Sequence, residues 1–174
     1  MDSKRRAYLI ERYHDGVTAV VVAVEHLSED QLDIRPAPKA RTAREVVHHL
    51  SDAELHDSVR LRRMLVERMP VLVHWDEDRY AERLFYDTPV ALALDAFRAM
   101  ALLNIEILGR LNDEQWQREG NQQRPWTMTV ESWLDDKVKH IHDCLMQILN
   151  APSGGRAIPD PHELEKTRWF GFRQ

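Results

Sequence analysis

Four stretches of this 174-residue chain bring back their apolar residues at steps of three and four, and none reads as a ladder of strands. That period is the mark of helices with one buried face. The first stretch runs from about Ser3 to Leu27, with Ile10, Tyr13, Val17, Val20, Val21, Val24 and Leu27 as its apolar stripe and Gly16 as an interruption of modest cost. The prolines in Asp33–Ile34–Arg35–Pro36–Ala37–Pro38 break the pattern. The second starts at Thr42, an N-cap with Glu45 completing a capping box, and continues to about Arg68 before Pro70 ends it. Val46, Leu50, Ala53, Leu61, Met64 and Leu65 face inward there. Residues 71–87 read as irregular or as a short helix, anchored by Trp75, Tyr80, Phe85 and Tyr86. Thr88–Pro89 opens the third helix, with the proline at its first position. Leu92, Phe97, Met100, Leu103, Ile107, Leu108 and Leu111 supply its core face. Residues 112–125 are a polar connection, and Thr127 or Thr129 caps the fourth helix, which ends near Asn150.

The fold class is therefore all-α, a four-helix bundle over residues 1–150 as one domain. The long link between the second and third helices permits those two to lie parallel, so simple up-down-up-down order does not follow. Residues 151–174 form a C-terminal extension containing Trp169, Phe170 and Phe172. Aromatic groups at a chain end are seldom left in water, so the extension is expected to pack on the bundle or on a second subunit, which makes a homodimer an expectation.

Composition narrows the function. A net charge of −5 supplies no concentrated basic face for nucleic acid. The run Arg60–Leu61–Arg62–Arg63 reads as a solvated helix face. The longest apolar run, Val17 to Val24, falls far short of the roughly 20 residues of a membrane span. The opening MDSKRRAYLIERYHD has no apolar core of a signal peptide. With one cysteine there is no disulfide framework, and the expected compartment is the cytoplasm, where a thiol stays reduced.

That cysteine has a notable neighbour. In TVESWLDDKVKHIHDCLMQIL, His140 and Cys144 stand four apart, one helical turn, on the same face. Imidazole and thiolate are both good ligands for zinc and related metals. On the second helix His49 falls at the edge of the apolar stripe, beside Ala53, while His48 points toward solvent. If the two helices pack together, His49, His140 and Cys144 make a three-ligand site with an open position, the pattern of a catalytic metal. The plainer reading treats the same residues as unrelated: a cysteine buried as a small hydrophobe and two histidines at helix edges. Lys137 and Trp133 share the flank of His140, and His142 lies on the opposite flank. Trp133 either walls a pocket or is simply packed. Asp52 and Glu54 read as solvated acids or as partners of His49, and His56 as a residue at the pocket mouth.

The segment TAREVVHHLSDAEL resembles the first histidine motif of the DinB/YfiT-like superfamily, in which an apolar pair precedes a histidine followed by leucine and a small, acidic stretch. The last helix resembles that family's H-x-x-H-H-x-x-Q-I ending, aligned on Gln147–Ile148. His140 then takes the first histidine position, and Asp143–Cys144 stands where the family has His-His. The resemblance spans residues 5–150 and implies a bacterial protein with one divalent ion, zinc with nickel or iron as alternatives, held by His49, His140 and Cys144. It further implies a thiol transferase or hydrolase acting on a small molecule, a low-molecular-weight thiol being one such substrate. The cysteine leaves two alternatives open: a softer, more negative site, or a member that has lost its metal and acts as a non-enzymatic binding or stress-response protein. His142 is the other conceivable ligand.

Overall fold

The computed structural model describes residues 2–121 and 127–151. Four long helices dominate it: α1 (Ser3–Glu25), α3 (Ala43–Val66), α5 (Ala91–Leu108) and α7 (Val130–Asn150). Three short ones punctuate the connections: α2 (Glu29–Leu32), α4 (Glu77–Arg83) and α6 (Asp113–Trp116). The caps are side-chain chemistry that the sequence announces. Thr42 and Glu45 form the capping box of α3, and Thr129 rather than Thr127 caps α7. Asp2 and Ser28 do the same for α1 and α2.

Contacts between the long helices fix their directions. Arg5 pairs with Asp135 and Arg6 with Glu131, while Gly16 abuts Ile141, so α1 and α7 run parallel. A Cβ on Gly16 would sit 2.9 Å from Ile141 Cγ2, so the missing side chain is what permits this approach. Arg44 and His48 reach Thr88, and Ser58 and Arg62 reach Asn104, so α3 and α5 also run parallel. His49 faces His140 and Asp57 faces Lys137, which makes α3 and α7 antiparallel. The order is up-down-down-up, the parallel second and third helices that the long link permits.

Several expectations need correction. The connection 112–121 is not featureless. It contains α6 and a strand, β1 (Glu119–Asn121), that pairs antiparallel with β2 (Thr127–Thr129). Strands of three residues, one of them Glu119–Gly120–Asn121, carry too little alternation to be read. The hairpin closes one end of the bundle: Leu72 donates to the Asn121 carbonyl, and Arg118 donates to the Met64 and Glu67 carbonyls at the end of α3. Pro89 does not open α5, which starts at Ala91 with Val90 at its N-cap. Thr88 is held outside the helix because its carbonyl receives His48 and Arg44. Leu92 and Leu103 are exposed, at 83% and 57%, not in the core. Helix α5 is apolar on nearly every face, so periodicity chooses its buried side poorly: Phe97 and Leu108 are buried as the stripe predicts, but Ala101 and Asn104 join them in place of Leu92 and Leu103.

Nor are Arg60, Arg62 and Arg63 a solvated face. Arg60 clamps Asp57 and the Val73 carbonyl, Arg62 bonds Asn104, and Arg63 bonds Glu67 and the Val71 carbonyl. Among the described residues no helix is long and apolar enough to cross a membrane. The aromatic extension and Trp126 lie outside the described residues.

Candidate metal centre

Helices α3 and α7 cross at the residues the sequence singles out. His49 Nε2 lies 3.0 Å from His140 Nε2, and Cys144 Sγ lies 3.5 Å from that same nitrogen. The three ligand atoms all fall within 4.8 Å of one another. A tetrahedral zinc, with bonds of about 2.0–2.1 Å to nitrogen and about 2.3 Å to sulfur, sets its ligand atoms roughly 3.3–3.6 Å apart. The His49–His140 and His140–Cys144 spacings therefore fit a shared ion to within a few tenths of an ångström. His142 is exposed beside Asp143, on the outer flank of α7, and takes no part.

Burial sets the protonation of all three groups. Desolvation, helped by Arg41, His140 and Lys137, depresses His49 to about 3. Desolvation and Lys137 bring His140 down to about 4. Both imidazoles are then neutral at pH 7, the form that offers a lone pair to a metal. Burial pushes the Cys144 thiol up to about 12, so the free sulfur is protonated. Two neutral nitrogens and a thiol this close can share hydrogen bonds with one another, and they are also a donor set suited to a cation.

The surroundings come from the segment before α5. The Trp75 indole stacks on His49 at 5.7 Å and on His56 at 4.8 Å. His56 also meets the Tyr80 hydroxyl at 3.1 Å, so it props the aromatic wall beside His49. His48 stacks on Tyr86 and reaches the Thr88 carbonyl, where a solvent-facing ring was expected. Asp52 accepts from the Tyr86 hydroxyl at 2.7 Å. His140 is half-buried while His49 and Cys144 are buried, so His140 is the most exposed of the three.

Sequence reasoning missed what lies beneath. Glu54, read as a solvated acid, has no exposure at all. Its carboxylate and that of Asp57 both hold the Lys137 ammonium at 2.9 Å. Tyr13 donates to Glu54, Asn104 donates to Glu54 and Ser58, and Arg62 donates to Asn104. Burial pulls Lys137 toward neutrality, but the two carboxylates outweigh it and hold the ammonium charged, above its usual range. Trp133 is packed edge-on against Tyr13 at 6.3 Å, the plainer of its two readings. The available signal was Lys137 itself, a charged residue on the inner flank of α7, three positions before His140.

Comparison with known proteins decides the family. The model of the DinB superfamily matches residues 13–162. The chain belongs to the DinB superfamily. Among its DinB-like relatives, the Bacillus subtilis protein YfiT, named as a candidate metal-dependent hydrolase, is 33% identical over 136 residues, 72% of each chain. A protein of the same description from Oceanobacillus iheyensis is 32% identical over 74 residues, 42% of this chain and 43% of that one. A Bacillus cereus relative, again of that description, is 25% identical over 112 residues and matched over 65% of its length. The solved structure of YfiT, described as an unusual four-helix bundle, superposes with a TM-score of 0.82 over 88% of this chain and 89% of that one. At 23% identity that likeness establishes the shared DinB-type fold, whose order of helices here is the up-down-down-up one.

Proposed function

We propose that this chain is a metal-dependent hydrolase of a small molecule, with one divalent ion held by His49, His140 and Cys144. The observation that carries the reading is the convergence of those three ligand atoms within 4.8 Å, from helices whose residues stand 91 positions apart. The names of the DinB relatives point the same way. Three protein ligands leave a position for water or substrate, as catalytic zinc sites do. When bound, such an ion supplies Lewis acidity and brings the pKa of water toward neutrality, tempered here by the charge of a thiolate. His49 and Cys144 provide the buried side of the centre. His140, half-buried, marks the side from which substrate enters, and the Trp75 indole excludes water from the face of His49. Sulfur among the ligands favours zinc over harder cations, with nickel or iron as the other candidates.

The same sulfur supports a second reading. A centre of nitrogen and sulfur ligands suits a thiolate in its open position, so transfer of a low-molecular-weight thiol is the alternative reaction, and product analysis with water or thiol as nucleophile separates the two. Elemental analysis of protein purified without a metal-affinity tag tests the common premise. The expected result is about one ion per chain, lost in a His49→Ala/His140→Ala variant. Wild-type protein that carries no stoichiometric ion, even after incubation with zinc, would leave a helical-bundle binding protein in place of an enzyme.

A further inference from the structure

The His49 ring uses one nitrogen in the centre and leaves the other unaccounted for. His49 is 2% exposed, and its Nδ1 is buried with no hydrogen-bond partner among the described residues. A carboxylate oxygen, Glu77 Oε2, stands 3.7 Å from it, too far for a hydrogen bond but within reach of a small side-chain rotation. Glu77 is the first residue of α4, and its side chain is 45% exposed, so nothing packs it in place. Its backbone is better fixed, because Trp75, two residues earlier, stacks on the His49 ring itself. The same oxygen is 3.7 Å from Arg41 Nη1, and Arg41 is also shared by Asp78 at 3.3 Å. Arg41 therefore keeps a carboxylate partner if Glu77 turns away from it.

We propose that Glu77 is the positioning carboxylate of His49, accepting the Nδ1 proton once an ion is bound. The reason lies in the tautomer. A neutral imidazole carries one proton, and ligation through Nε2 requires it to be on Nδ1. Metal-binding histidines almost always give that proton to a carboxylate, a carbonyl or water, which fixes the ring and raises the basicity of the ligating nitrogen. Here the nitrogen is buried and unpartnered, and Glu77 is the carboxylate beside it. The inference rests on the metal-centre reading above, and it gives α4 a task that its sequence alone does not reveal: to carry the acid that orients a ligand on α3.

Cobalt(II) and zinc binding to the full chain provide the test. Affinities come from competition with a chromophoric chelator, and cobalt geometry from its visible absorption bands. Glu77→Ala is expected to weaken binding by about 10- to 100-fold and to shift the cobalt ligand-field bands, while the sulfur-to-cobalt charge-transfer band from Cys144 persists. Glu77→Gln keeps an acceptor oxygen and is expected to recover part of the loss. Asp78→Ala, which removes a neighbouring charge from the same helix start, is expected to stay within about twofold of wild type. Glu77→Ala binding as tightly as wild type would overturn the proposal. Equal losses in Glu77→Ala and Asp78→Ala would also overturn it, since a general charge effect would then suffice. A wild-type chain that takes up no ion at all removes this inference and the metal-centre reading together, whereas normal wild-type binding with an unaffected Glu77→Ala removes this inference alone.

Discussion

At pH 7 an incoming cation has one proton to displace from the centre, and it sits on Cys144. The two imidazoles, depressed by burial to about 3 and about 4, are already neutral and release nothing. The thiol, pushed up to about 12, is protonated and must ionise to ligate. The sign follows: affinity rises with pH, by about tenfold per unit for one proton released, and the slope holds from about pH 5 to pH 9 because neither His49 nor His140 titrates there. Were the histidines at their ordinary value of 6.5, the slope would steepen below that pH. Cys144→Ser is expected to flatten the profile and weaken zinc binding; zinc affinity measured across that range checks both. These residues were legible in the sequence because helical spacing alone stacks His140 over Cys144. Glu54 was not, since an acid at a helix edge is exposed unless a partner desolvates it, and its partner Lys137 arrives from a distant helix.

Between α3 and α7 the seam holds two different polar layers. One is the centre of nitrogen and sulfur; the next is the ionic cluster of Lys137, Glu54 and Asp57. A buried cluster of this kind is weak evidence of net stabilisation, because desolvation costs much of what attraction returns. Removing one member is a different matter. Lys137→Met leaves two carboxylates facing each other in a dry interior, with Tyr13 and Asn104 bonded to one of them. The expected loss is about 3–5 kcal/mol, read as a lower denaturation midpoint in urea at unchanged slope. Replacing all three together, as Glu54→Gln/Asp57→Asn/Lys137→Met, is expected to recover part of that loss, since the fully buried Glu54 no longer carries an unpaired charge, and only part because Arg60 loses Asp57 as its acid. A loss below about 1 kcal/mol for Lys137→Met would mean that water reaches the cluster. The elements themselves were readable wherever a cap and a single apolar stripe coincide, as at Thr42 and Thr129. They were not readable at α5, where apolar residues surround the helix, or at the hairpin, whose pairing depends on the turn of chain from Pro70 to Leu72.

The whole molecule is two parallel pairs, α1 with α7 and α3 with α5, set against each other in opposite directions. The helix count and the freedom for parallel neighbours could be read from the sequence. Which helix lies beside which could not, because it depends on close approaches such as Gly16 on Ile141 and on reach across the seam. The three candidate ligands sit where the two pairs meet, and an ion held by them would tie α3 to α7 across 91 positions of sequence. An ion that binds the folded chain and not the unfolded one stabilises it by about 2.7 kcal/mol at a hundredfold excess over Kd. For a chain of this size that corresponds to an increase in Tm of roughly 5–11 °C. The shift should be absent in His140→Ala, which keeps the bundle but breaks the tie between the pairs. The chain has nine histidines, so a nonspecific effect of zinc on the surface is the competing account. The two part cleanly in differential scanning calorimetry: an equal rise in wild type and in His140→Ala would place the ion elsewhere on the molecule, and a rise confined to wild type would place it at the junction of the two pairs.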